Sequence, residues 1–120
     1  MAARTGALPS HSTETSTAGW SGPRAEKKLG EAKPATLRKA YAWVDPEKDP
    51  HNKTAYKFIH HEVDAHGHVG PANVKAATSG IGVLNGARGG TDIPEADRKG
   101  VHRHLARHLR DAGLEPAPLK

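Results

Sequence analysis

Gly86-Ala-Arg-Gly-Gly-Thr-Asp-Ile-Pro-Glu-Ala-Asp-Arg98 is the stretch on which the fold of this chain turns. It reads as the end of one helix, a tight glycine turn and the start of another. Asn85-Gly86 or Gly89-Gly90 supplies the left-handed residue that closes the first helix. Asp92-Ile-Pro-Glu95 fits a capping box, with Asp92 accepting from first-turn N–H groups and Glu95 reaching back. Pro94 lacks an N–H, and the first turn needs none there. The second helix is expected from about Pro94 to Ala112, with Gly113 as its stop. Its buried stripe is Val101, Leu105, His108 or Leu109, and Ala112.

Upstream, Val74, Ala77, Ile81 and Leu84 recur at three- and four-residue spacing, which makes one apolar helix stripe. Gly70-Pro71-Ala72-Asn73 opens that helix, with proline in its first turn. Gly80 and Gly82 weaken it by ~1 kcal/mol each relative to alanine. Such small residues imply close approach by a backbone or an aromatic ring, and Trp43 or Trp20 is the natural candidate.

Before the helices the period changes to two. In Ala40–Asp45, Tyr41 and Trp43 share one face of a strand; in Thr54–Val63, Tyr56 and Phe58 share one face of a second. Asp45-Pro46 and Asp49-Pro50 punctuate the connection. This is a β-hairpin whose aromatic residues pack across the strands. Asp64-Ala-His-Gly-His68 is a turn that returns as a very short third strand at His68-Val69.

The N-terminal third is different in kind. Residues 1–18 are rich in Ser, Thr and Ala and bury too little apolar surface to offset ordering entropy, so they are expected to be disordered in isolation. Ser21 or Gly22 caps a short helix near 23–29, with Pro23 in its first turn and Gly30 at its end. Trp20 and Leu29 are the large apolar anchors of this arm. Trp20 is expected to dock, and the chain's own domain is favoured over a partner. The chain therefore reads as α+β. A basic arm over 1–39, extended or disordered, precedes a compact domain over 40–113, a β-hairpin packed on two helices; 114–120 is an extended tail.

Composition bounds the function. The chain has 120 residues, 35% of them hydrophobic, with 13 Gly, 9 Pro and no Cys. Disulfides and thiolate metal sites are excluded. No apolar run approaches the ~20 residues that span a bilayer, and no signal-peptide core opens the chain, so neither a membrane nor secretion is expected. The net charge is +5, and residues 1–39 carry seven Lys/Arg against three Asp/Glu. The positive excess sits on the arm, where it can meet nucleic acid or the acidic surface of an assembly. A second basic stripe, Lys99, Arg103, Arg107 and Arg110, lies opposite the apolar face of the last helix and can bind phosphates, although an ordinary solvated helix face is the favoured reading.

Nine histidines invite a metal hypothesis. His104 and His108 are i and i+4 on one helix, and His60, His61, His66 and His68 gather around one turn. Three neutral imidazoles can ligate zinc. No Glu sits between His104 and His108 in the metalloprotease arrangement, and histidine-rich turns are commonly solvated. The favoured reading is surface histidines, with one or two hydrogen-bonded between hairpin and helix, and neither metal nor cofactor. Gly86–Gly90 follows a helix, whereas Walker and dinucleotide fingerprints follow a strand. No Gly-x-Ser-x-Gly and no convincing carboxylate pair is present, so an enzyme is not expected.

Three pieces together resemble a known module: Ala40–Asp45 with Ala55–His61, Gly86–Arg98, and Val101-His-Arg-His-Leu-Ala-Arg-His-Leu-Arg-Asp-Ala-Gly-Leu-Glu-Pro116. The module is encoded in head-gene clusters of tailed bacteriophages and prophages, where it is often fused to or beside the prohead (capsid maturation) protease. Trp20-Ser-Gly-Pro-Arg-Ala-Glu26 is similar to the Trp-Asp-Gly-x-Ala-Ala stretch that precedes it, with Ser21 replacing the acidic residue. The resemblance covers about residues 19–116 and carries over no catalytic residue. It implies a virion or head-assembly context for a stand-alone module with a basic arm. The leading expectation is a virion protein, made in the host bacterial cytoplasm, that binds the capsid shell as a minor, decoration or cement protein. Its partners would be the major capsid protein and neighbouring copies of itself. In that setting the arm becomes ordered on the shell, Trp20 anchors it, and Arg24, Lys27, Lys28, Arg38 and Lys39 meet acidic capsid surface. The alternatives are a nucleic-acid-binding module and a head-assembly scaffold or partner of the prohead protease.

Overall fold

The computed structural model describes residues 6–120 and is α+β. In chain order the elements are β1 (Thr15–Ser16), α1 (Gly22–Leu29), α2 (Pro34–Ala40), β2 (Trp43–Val44), β3 (Tyr56–Lys57), β4 (His61–Val63), β5 (Val69–Asn73), α3 (Val74–Leu84) and α4 (Glu95–Asp111). β2 and β3 form an antiparallel pair, and a separate sheet has the order β1-β5-β4.

Capping explains the helix starts. Ser21 accepts from the Arg24 N–H and Pro23 lies in the first turn of α1, which Gly30 ends at φ 56°. Asn73 accepts from the Ala76 N–H, so α3 begins one residue after it. This corrects the expected opening at Gly70: Gly70–Asn73 belong to β5, longer than the expected return at His68-Val69, and the cap comes at their end. The Asp92–Glu95 capping box does not form. Pro94 is the cap residue of α4 without a side-chain bond, because Asp92 is drawn to Lys57 and Glu95 to Arg98. Gly86, Gly89 and Gly90 all have positive φ in the α3–α4 connection, as the glycine turn required.

α2 was not expected. Pro34 at its first turn and the Leu37/Ala40 pair, three apart and fully buried, are its sequence signal. The hairpin is shorter than its pattern. Trp43 pairs with Lys57 and Val44 with Tyr56, and the second strand breaks at Phe58, whose φ is 67°. That kink sends the chain into the other sheet as β4. It also divides the aromatic residues: Tyr41 packs on Tyr56 with ring centroids 5.4 Å apart, while Trp43 and Phe58 join a different cluster.

Two apolar clusters result. One lies between α3 and α4, around Ile81, Leu84, Val101, Leu105 and Leu109, with Trp43 at its side. A β-carbon added at Gly80 would stand 2.8 Å from Leu105 Cδ1 and 3.5 Å from Phe58, so α3 and α4 pack closely there, with Leu105 and Phe58 in place of the expected tryptophan. The other cluster lies under α1 and α2, around Leu8, Leu29, Leu37, Tyr41 and Tyr56. Each fully buried leucine contributes about 2 kcal/mol.

The N-terminal segment joins both clusters. Residues 6–18, expected to be disordered in isolation, are instead extended and lie against the domain. Leu8 donates to Ala42 O, Val44 donates to Gly6 O, and β1 pairs in parallel with β5. Gly100 makes room on α4, since a β-carbon there would stand 2.6 Å from the Ala7 methyl. Residues 1–5 of the expected arm lie outside the described residues. The tail after α4 is extended, as expected, and Asn85 clips it by bonding Pro118 O and the Lys120 N–H.

Candidate functional site

Five histidines from three distant parts of the chain meet, four of them buried and His11 half-buried at the edge of the group. His11 comes from the N-terminal segment, His60 and His61 from the start of β4, and His104 and His108 from α4. His60 and His104 are 0% exposed and His61 and His108 are 1% exposed. Neighbouring ring centroids are 4.6–5.4 Å apart, with His60–His61 the closest pair and His104–His108 the widest. Adjacent strand residues ordinarily face opposite sides. His60 and His61 escape that rule because His60 precedes the ladder and follows the kink at Phe58.

Backbone carbonyls fix three of the rings. The Nδ1–H groups of His60, His61 and His104 donate to Phe58 O, Gly70 O and Leu8 O, each at 2.9 Å. Each of those rings therefore turns an Nε2 lone pair inward. His60 Nε2 and His104 Nε2 have no hydrogen-bond partner, and neither nitrogen of His108 has one. His11 Nε2 and His61 Nε2 are 3.3 Å apart. Burial holds all five rings below the ordinary imidazole range, His61 down to about 4 and His108 down to about 3. For His60, His61, His104 and His108 mutual repulsion reinforces this, since a second imidazolium in the cluster would stand beside the first. At neutral pH the group is a set of uncharged nitrogen donors, able to accept a proton or a Lewis acid.

A second buried polar group lies in the first turn of α4. The Asp97 carboxylate, 4% exposed, accepts from Trp43 Nε1 at 2.8 Å and from the Gly6 N–H at 3.1 Å through the same oxygen. It ties α4 to β2 and to the N-terminal segment.

The residues singled out from sequence are placed elsewhere. Arg24, Lys27 and Lys28 point outward from α1, and Arg38 and Lys39 from α2, all exposed. Both helices bury their inner faces in one apolar cluster, so the five cations share a rigid support. None of the five makes an ion pair among the described residues. Trp20 is half-buried against the same cluster, which agrees with docking on its own domain, and lines a groove of about 610 Å³ with Phe58, Ile59 and Gly80. Lys99, Arg103, Arg107 and Arg110 form one exposed stripe on α4, where Arg107 is engaged by Asp111 and the Ser12 hydroxyl. His66 and His68 are exposed in their turn beside Asp64 and take no part in the cluster.

Sequence reasoning saw the His104/His108 spacing and the His60/His61 pair and left them apart. It had no reason to join His11, which sits in a Ser/Thr-rich stretch. The available signal was the alignment of His104 and His108 with Val101 and Leu105 on the buried face of α4. Two buried imidazoles on one helix need partners from another element. No known protein family, curated protein or solved structure matches this chain. What fold and site define is a small α+β domain with a buried histidine cluster and a basic outer face.

Proposed function

We propose that this chain is a non-enzymatic structural protein of a tailed-phage head that docks on the capsid shell, as a minor, decoration or cement protein. The observation that carries the reading is the exposed, unpaired set Arg24, Lys27, Lys28, Arg38 and Lys39 on α1 and α2. Cations held on rigid helices, with no carboxylate bridged to them, suit an acidic partner surface better than cations on a loose arm, because less side-chain and backbone freedom is lost on contact. The reading moves the docking surface from an arm that orders on the shell to the outer faces of two folded helices. Trp20 lies beside that face and serves as its apolar anchor. The partner is the major capsid protein, and contacts between neighbouring copies on the lattice add avidity. The location is the virion capsid, after synthesis in the host cytoplasm.

Quantitative mass spectrometry of purified mature particles, before and after a salt wash, tests this. Retention at a stoichiometry comparable to the major capsid protein is the expected result. Reversing Arg24, Lys27 and Lys28 to Glu should lower retention about tenfold or more, the scale of losing two or three charge contacts. Presence in proheads and absence from mature particles would replace this reading with a scaffold or protease partner. Steeply salt-dependent DNA binding, lost on changing Arg103 and Arg110 to Ala, would replace it with a nucleic-acid module.

A further inference from the structure

We propose that the histidine cluster is a structural site for one tetrahedral divalent transition-metal ion of the zinc class, with His108 supplying one ligand and three of His11, His60, His61 and His104 supplying the others. The ligand atoms of the two overlapping sets, His60/His104/His108 and His11/His61/His108, each lie within 4.8 Å of one another. A tetrahedral ion with nitrogens at 2.0–2.1 Å holds them about 3.3–3.4 Å apart. The His11 Nε2–His61 Nε2 separation, 3.3 Å, already has that value. His108 belongs to both sets, and no hydrogen bond fixes its ring, so it is the ligand able to swing onto an ion.

Three further features agree. First, His60, His61 and His104 each give Nδ1–H to a backbone carbonyl, the outer-shell bond that fixes the tautomer and orients Nε2 toward a metal. Secondly, four buried imidazole nitrogens without partners are unusual in a native interior, where such groups are almost always paired. An apolar side chain at position 108 would avoid both of that ring's unpartnered nitrogens, so retaining imidazole there points to a ligand. Thirdly, the rings are neutral near pH 7, the form in which imidazole binds a metal. All-imidazole coordination suits Zn2+, Cu2+, Ni2+ and Co2+, and the absence of carboxylates from the set disfavours Mg2+ and Ca2+.

The site would work as a clasp. Its ligands come from the N-terminal segment, from the chain entering β4 and from α4, whose sequence separations reach 97 residues between His11 and His108. A metal there adds a cross-link to a segment that a two-residue strand, a few backbone bonds, the Asp97 carboxylate and the buried Leu8 already hold. Closing such long loops restricts the unfolded chain most.

The test uses the untagged full chain, stripped with chelator and reloaded with Zn2+ or Co2+. One ion per chain should survive dialysis. Bound Co2+ should show the intense visible bands of tetrahedral coordination, and X-ray absorption should find a shell of at least three imidazole nitrogens. His108→Gln should weaken binding about 100-fold or more, since even loss of outer-shell partners costs 10–100-fold. The double change His66→Ala and His68→Ala should leave binding intact. Cleavage after Glu14 by a glutamate-specific protease should rise about tenfold on chelation, as the N-terminal segment loosens. Failure to retain an ion, an oxygen-dominated shell, or binding lost with His66 and His68 and kept in His108→Gln would overturn the proposal. Should His108→Gln not fold, the spectra of the unaltered protein decide the question alone.

Discussion

The nine histidines divide into two groups that obey different rules. His51, His66, His68 and His102 lie toward solvent and find nearby partners: His51 meets Asp49 at 3.0 Å, His68 meets Asp64 at 3.2 Å, and His102 donates to Ala117 O at 2.7 Å. His11, His60, His61, His104 and His108 are gathered from far apart in the chain, and no carboxylate meets any of their rings among the described residues. Of this group, His51, His66 and His68 are explained by short-range turn chemistry, in which Asp49 and Asp64 also accept backbone N–H bonds, while His102 reaches the C-terminal tail from α4. No short-range rule explains the buried group. One residue type is thus used as solvated polar surface in one place and as buried, neutral donor atoms in another.

Acid should break this contrast with the largest effect. In the metal-free protein the buried rings are neutral when folded, because burial and then mutual repulsion depress their affinity for protons. Unfolded, the same rings titrate near 6.5. The unfolded chain therefore binds more protons below that pH, and stability must fall as pH drops from about 6.5 toward 4, where His61 begins to protonate in place. His11 faces this group from the N-terminal segment, and the Arg107 guanidinium adds to the depression at His108. Each unit of depression is worth ~1.4 kcal/mol, so the coupled group should cost several kcal/mol over that window. Urea midpoints measured with chelator between pH 7.5 and 4.5 would show it. A flat profile would mean that the rings are solvated in solution and that the contrast with His66 and His68 is false.

A smaller effect sharpens the contrast between metal-free and metal-loaded protein. His108→Leu removes two buried nitrogens that have no partner and leaves an apolar side chain beside Leu105 and Leu109. Without metal it should raise stability by about 1 kcal/mol, the scale of one relieved unsatisfied group. With Zn2+ present the order should reverse, because only the histidine protein gains from binding. Thermal melts of both proteins, with chelator and with Zn2+, give the four values needed. Should leucine destabilise in both conditions, His108 is simply a well-fitted core residue.

Legibility followed the same division between local and long-range structure. Ser21, Pro23, Gly30 and Gly113 announced helix ends because a cap is decided by a few neighbours. The stripe through Val101 and Leu105 announced the buried face of α4 for the same reason. Asp92 misled because its partner is Lys57, 35 residues away, and a distant cation won over the local N–H groups. The N-terminal segment misled because its composition is that of a disordered stretch. Its order comes from a parallel ladder with β5, from Asp97 and from the His104 ring, all more than 50 residues downstream. The histidine cluster was the least legible feature, since it depends on three such long-range placements at once.

The smallest expected effect is the one that most directly separates the two groups. His66 and His68 are near His60 and His61 in sequence, and their rings are 6.2 Å apart, close enough to resemble a metal-binding pair. Yet both are exposed, and the turn they occupy is held by Asp64 accepting their backbone N–H groups, which any residue at those positions supplies. Changing both to Ala removes only a solvent-screened contact between His68 and Asp64, so stability should move by no more than about 0.5 kcal/mol. Metal retention should not move at all. Were the double variant instead to lose a bound ion while keeping its melting temperature, the ligands would lie on the turn. The buried rings would then be a neutral polar core, and proximity in sequence would have been the better guide to the site than convergence in space.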